Sequence, residues 1–237
     1  LTGLGQQRSG ERVLHGMISS GECELYCTPA PRHVPALKSS VDFGAGVGPR
    51  SVEADHAGGN ARLAELPKDS KILGVTFPPV GVAPSANVIA HENVLNRMSA
   101  TKPGTKDQTV VDSSQWTTDT FSTAKYKLSE FFNGEGIQIT YHPAAHTDAD
   151  SIVYFRYSDV IVAGDILNPT SYPVIDTDKG GSYQGMLDGL NFILDLAIAE
   201  FRSQGGTMVI PGHGRLMDSG DVANYRNMVQ IIGDRVL

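Results

Sequence analysis

The feature that most constrains the fold is the stretch 183–203. Met186, Leu190, Ile193, Leu194, Ala197 and Phe201 recur there at helical spacing and fall on one face. An amphipathic helix needs an apolar surface to cover, and the neighbouring sequence supplies one. Asn87–His91 is a short apolar run that fits a buried strand, followed by a turn or two of helix over Glu92–Ser99 with Val94, Leu95 and Met98 at helical spacing. Residues 125–131 and Ile137–His142 flank Asn133-Gly134-Glu135-Gly136, a hairpin signal because Asn and Gly tolerate positive φ. Residues 151–156 and 159–163 pair across Tyr157-Ser158, and 207–210 is a further strand after the helix-ending pair Gly205-Gly206. A last helix is predicted from an N-cap at Ser219 or Asp221, with the stripe Val222, Tyr225, Val229, Ile232 and Val236. Strands and helices alternate, which predicts an α/β layered architecture.

The rest of the chain is less regular. Residues 1–50 mix Cys, Pro, Gly and Ser with short apolar runs, and no strand can be assigned there. The stretch 99–122 is polar and predicts a long loop. A length of 237 residues fits one domain over 1–237. A net charge of −7 argues against nucleic acid or an anionic membrane surface as partner, because phosphate contacts need a basic patch. No apolar run is long enough to span a bilayer. No signal peptide is visible and the first residue is Leu1; a soluble protein, periplasmic or secreted after loss of a leader, is one reading, and the sequence leaves the compartment open. Cys23 and Cys27 admit a disulfide without requiring one. Their spacing, with no second pair, fits neither a zinc ribbon nor a two-residue redox motif.

The chemistry-bearing residues gather at the ends of the predicted strands. Three of the seven histidines stand in Asp55-His56-Ala57-Gly58-Gly59-Asn60, Ala145-His146-Thr147-Asp148-Ala149-Asp150 and Pro211-Gly212-His213-Gly214. A fourth segment, Ala163-Gly164-Asp165, follows an apolar strand. Loops on a rigid scaffold bring distant side chains together, and imidazole with carboxylate suits a divalent ion such as zinc. Taken singly, each has a plainer role: a strand-end His is usually a hydrogen-bonded or surface residue, and Asp148, Asp150 or Asp165 can serve as turn formers. His91 and His142 read as structural. The inference rests on the set.

The order D-H-x-G-G-N, A-H-T-D-x-D, G-D, P-G-H-G resembles the metallo-β-lactamase superfamily, over residues 55–60 and 84–237. Ile89-Ala90-His91-Glu92-Asn93-Val94 resembles a stretch found in one branch of it. The resemblance implies a four-layer αβ/βα sandwich with metals at one edge between the two sheets. It implies His146 as a ligand of a first metal site, Asp55, His56 and His213 as ligands of a second, and Asp165 as the carboxylate between them. It also implies a hydrolase in which the metal activates water against an ester, thioester, lactone or lactam-type bond of a small-molecule substrate, with Asp55 orienting that water and accepting its proton. The chain departs from the family's H-x-H-x-D-H pattern, whose two leading His positions fall on Ser51 and Glu53. Glu53 remains a candidate oxygen ligand. Occupancy by one metal ion, zinc by preference, at the second site is therefore expected over two. A relative that kept the fold and lost the chemistry is the alternative reading. Residues 1–50 are atypical for the family, and 67–85 read as an insertion.

Overall fold

The computed structural model describes residue 60 and residues 87–99, 113–128, 135–202 and 205–236, together with the backbone of five short strands nearer the N-terminus. Those strands are β1 (Val13–Ser19), β2 (Glu22–Thr28), β3 (Ser39–Val41), β4 (Lys71–Ile72) and β5 (Val75–Thr76). β1 and β2 form an antiparallel pair in a region where the sequence alone assigned no strand. β4 and β5 form a small hairpin inside the stretch that reads as an insertion. Cys23 and Cys27 both lie on β2, four residues apart.

The remaining elements run β6 (Asn87–His91), α1 (Glu92–Ser99), β7 (Asp119–Phe121), β8 (Lys125–Lys127), β9 (Ile137–His142), β10 (Asp150–Phe155), β11 (Val160–Gly164), α2 (Tyr183–Leu196), β12 (Met208–Pro211) and α3 (Ser219–Val236). One sheet has the order β12-β11-β10-β9-β8, and another β3-β6-β7. β8 and β9 pair antiparallel, as the hairpin signal predicts; its Asn133-Gly134 tip lies outside the described residues. β11 and β12 are parallel neighbours joined through α2.

Side-chain alternation along the strands sorts the core into layers. Ile152, Ile161, Ala163 and Val209 point to one face of the five-stranded sheet, where they pack with Met186, Leu190 and Ile193 of α2 and Val222, Tyr225 and Val229 of α3. Their strand neighbours Val153, Phe155, Val160, Val162 and Ile210 point to the other face and meet Ile89 and Phe121 of the three-stranded sheet. On β6 the next residue, Ala90, turns outward and packs with Val94 and Met98 of α1. The layers are therefore helices, sheet, sheet, helix. Burying a side chain such as Ile161 or Leu190 completely contributes about 1.5–3 kcal/mol, so this alternation holds the sandwich together.

Three local expectations need correction. The helix predicted over 183–203 ends at Leu196, and Phe201 is 83% exposed instead of buried. Ala197 turns extended (ψ 130°), and Ile198 exchanges two hydrogen bonds with Thr207, donating to its Oγ1 and accepting from its N–H. These ties pull the chain back toward β12. The predicted loop over 99–122 contains β7, which pairs parallel with β6. The N-cap of α3 is Asp218: its carboxylate accepts from Asp221 N–H at 2.8 Å while its carbonyl accepts from Val222 N–H at 3.1 Å.

Candidate functional site

β11 and β12 run parallel, and β10 runs opposite to β11. The residues that follow β11 and β12 therefore emerge at the same sheet edge as the residues that precede β10. Asp165 follows β11, His213 follows β12, and His146 lies in the turn before β10. The expected strand-end clustering is realised for these three. Asp165 Oδ2 lies 3.8 Å from His146 Nε2, and Asp165 Oδ1 lies 3.4 Å from His213 Nε2. Each carboxylate oxygen thus faces one imidazole. His146 is 1% exposed, Asp165 8% and His213 29%, so the group runs from the interior to the surface.

The ring of His146 is oriented from behind. Its Nδ1 lies 2.8 Å from the carbonyl oxygen of Val174. A carbonyl only accepts, so Nδ1 carries the proton and, in the neutral ring, Nε2 is left as the lone-pair atom facing Asp165. The stretch 174–182 wraps the turn: Asp176 N–H donates to the His146 carbonyl at 2.9 Å, and Ser182, the N-cap of α2, donates from N–H and Oγ to the Ala144 carbonyl at 2.9 and 2.8 Å. Thr147 N–H donates to the buried Asp150 carboxylate at 2.7 Å, closing the turn from its other side. Burial pushes the Asp150 carboxyl up to about 7, against the opposing pull of the Thr147 N–H.

Gly212 makes the His213 approach feasible. Its N–H donates to the Gly164 carbonyl at 2.9 Å, and a Cβ on it would overlap Asp165 Oδ1 and sit 2.8 Å from the Gly164 carbonyl carbon. Any other residue at 212 would displace Asp165. The P-G-H-G motif carried this signal in the sequence; the carbonyl of Val174 had none, because a backbone acceptor can come from any residue type.

Asp55, His56, Glu53 and Ser51 lie outside the described residues. Asn60, the last residue of the D-H-x-G-G-N motif, is buried and donates from Nδ2 to the Gln115 carbonyl at 3.1 Å. Among the described residues, no three His, Cys, Asp or Glu side chains form a complete metal-holding group; His146 and His213 each meet Asp165 pairwise. Trp116 packs against the cluster of Ala90, Val94 and Met98, the Tyr183 hydroxyl donates to the Gln230 carbonyl at 3.4 Å, and Tyr172 is 75% exposed. His91 and His142, which the sequence reading sets apart from the ligand set, each meet an aromatic ring. His91 stacks on Tyr141 with centroids 3.7 Å apart, and His142 packs on Phe192 at 4.7 Å.

No family profile matches the sequence, and no curated protein matches it. Solved structures do. The chain is similar to the DIM-1 metallo-beta-lactamase at 13% identity, over 96% of each chain, with a TM-score of 0.55. It is similar to TMB-1 at 12% identity over 94% of this chain and 86% of that one, with a TM-score of 0.52. It is similar to VMB-1 at 13% identity over 92% and 84%, with a TM-score of 0.51. The chain has the metallo-β-lactamase fold, an α+β four-layer sandwich, in agreement with the layering of its core.

Proposed function

We propose that the chain is a metal-dependent hydrolase of the metallo-β-lactamase superfamily, acting on an ester, thioester, lactone or lactam-type bond of a small molecule. The observation that carries the reading is the pair of contacts at Asp165, whose two oxygens face the Nε2 atoms of His146 and His213. Two imidazoles and a carboxylate, on three separate loops at one sheet edge, are the donor chemistry a divalent zinc ion takes. The locked tautomer of His146 suits the same role, since a ligating His commonly donates its other nitrogen to a carbonyl.

His213, Asp165, Asp55 and His56 would hold one ion, with His146 and Glu53 available to a second; single occupancy by zinc is the favoured state. When bound, the ion supplies Lewis acidity, polarising an acyl oxygen and making water reactive near neutral pH. The chain's own contribution is positional. Asp165 is held between the two rings, His146 is kept dry and in one tautomer, and His213 is the most exposed of the three. Asp55 is assigned to orient the attacking water and take its proton.

A second reading, a non-catalytic relative, is favoured by one feature: Ser51 and Glu53 stand where the family's two leading histidines fall. Elemental analysis of the purified protein, followed by a hydrolysis screen over lactam, thioester, lactone and ester substrates with and without added zinc, separates the two. Stoichiometric zinc with zinc-dependent turnover supports the hydrolase. A metal-free protein that stays inactive under added zinc supports the second reading.

A further inference from the structure

Asp148, two residues beyond His146, is held through its backbone and its side chain by three different elements. Asn93 Nδ2 and the Tyr141 hydroxyl each donate to its carbonyl, both at 2.8 Å. Its N–H donates to the Lys179 carbonyl at 2.9 Å. Its carboxylate is paired with the Arg97 guanidinium. Asn93 and Arg97 are i and i+4 on α1, so one face of that helix presents both donors. Arg97 also reaches the Lys179 carbonyl at 3.4 Å, on the same strap whose Val174 carbonyl orients the His146 ring.

Turn formation alone does not account for this arrangement. Arg97 is only 15% exposed, and its Nη1 is buried with no hydrogen-bond partner among the described residues. Holding a cation in that position is costly, and an isolated turn would be capped more cheaply by water. The stack of His91 on Tyr141 fixes the Tyr141 ring from the β6 side, so the tie runs from the three-stranded sheet and its helix to a loop of the five-stranded sheet.

We propose that Arg97 and Asp148 form a positioning pair that, with Tyr141 and Asn93, clamps the 143–149 turn and the 174–182 strap together and thereby holds His146 Nε2 toward Asp165. The inference rests on the reading of His146 as a metal ligand. Arg97 touches neither His146 nor a reacting atom; it acts through the two loops. Losing it frees the strap to shift against the turn, and the Nδ1–Val174 hydrogen bond that fixes the ring is the first contact to suffer.

The test uses the full chain with Arg97→Met, Arg97→Lys and Tyr141→Phe, and His146→Ala as control. Long-range 1H–15N spectra of the metal-free protein report the ring nitrogens of His146, and competition with a chromophoric chelator reports zinc affinity. The wild type and Arg97→Lys are expected to give one fixed tautomer, protonated at Nδ1. Arg97→Met is expected to give an averaged ring and, for the second ion that His146 would hold at excess zinc, an affinity about 10-fold weaker, the lower end of the effect of losing an orienting partner. Tyr141→Phe is expected to shift both in the same direction by less. An Arg97→Met protein with the wild-type ring signature overturns the proposal. If Arg97→Met does not fold, an unchanged ring signature in Tyr141→Phe overturns it instead. Should His146→Ala retain the wild-type zinc stoichiometry and affinity even at excess zinc, the reading of His146 as a ligand fails, while the ring spectra of the metal-free variants still decide the clamp.

Discussion

His146 and Val174 are joined by a hydrogen bond of 2.8 Å between the ring Nδ1 and a backbone carbonyl 28 residues further along the chain. This bond leaves Nε2 as the atom that meets Asp165, and with it the ligand set becomes testable atom by atom. Replacing Asp165 or His213 with Ala is expected to abolish zinc binding while the protein stays folded, since Asp165 links both imidazoles and His213 is partly exposed. Elemental analysis after exhaustive dialysis checks it, and unchanged zinc content in either variant contradicts the assignment.

Gly212 offers a test of geometry without touching a ligand. Gly212→Ala places a methyl group against Asp165 Oδ1 and the Gly164 carbonyl carbon. Overpacking of this kind costs about 1–3 kcal/mol, and here relief comes by moving Asp165. The variant is expected to lose stability in urea titration and to bind zinc more weakly than the wild type. A variant with wild-type zinc affinity would mean that the 212 and 165 backbones separate freely.

The last helix supplies a prediction about its start. Asp218 accepts from the Asp221 N–H, so Asp218→Ala should cost about 1 kcal/mol, the usual value of an N-cap side chain. Ser219→Ala should change the denaturation midpoint very little. The opposite ranking would place the cap where the sequence pattern first suggests it.

That difference illustrates what the sequence carried and what it did not. The layered architecture was legible from β9 onward because period-2 and period-3.6 apolar patterns coincide there with real burial; Ile152 and Val153, or Ile161 and Val162, point to opposite faces as their alternation predicts. Of the five expected ligands, His146, Asp165 and His213 do converge, each at the end of a strand. Asp55 and His56 lie outside the described residues. The misread places are those where a distant partner decides. Phe201 continues the helical stripe of α2 by spacing alone, but Thr207, nine residues from Ile198, captures the chain at Ile198 and turns Phe201 to solvent. β7 lies in a polar stretch, and only parallel pairing with β6 makes it a strand. The Arg97–Asp148 pair spans 51 residues, a separation at which residue spacing carries no signal.

The buried His142 sets a pH dependence whose sign is definite. Burial holds its pKa down to about 4, against a weaker opposing pull from Asp188, and its Nε2 is buried without a hydrogen-bond partner among the described residues. The unfolded chain protonates this ring near pH 6.5, whereas the folded protein does so only near 4. Between those values the unfolded state binds more protons, so this residue's contribution to stability falls as pH drops from 6.5 to 4 and is constant outside that window. The full effect is on the order of 3 kcal/mol. Asp150 works the other way: its carboxyl is raised to about 7, which favours the folded state at low pH and disfavours it as pH rises from 3.8 to 7. The two slopes oppose each other, so the wild-type profile alone is ambiguous and the difference between variants is the useful quantity. His142→Phe keeps an aromatic ring against Phe192 and removes the titration. Relative to the wild type, the variant should gain stability steadily as pH is lowered from 6.5 to 4, with no change in the difference between pH 7 and 8. Urea midpoints at half-unit pH steps measure it, and a difference that stays flat across the acidic window would mean that His142 protonates as readily in the folded protein as in the unfolded chain.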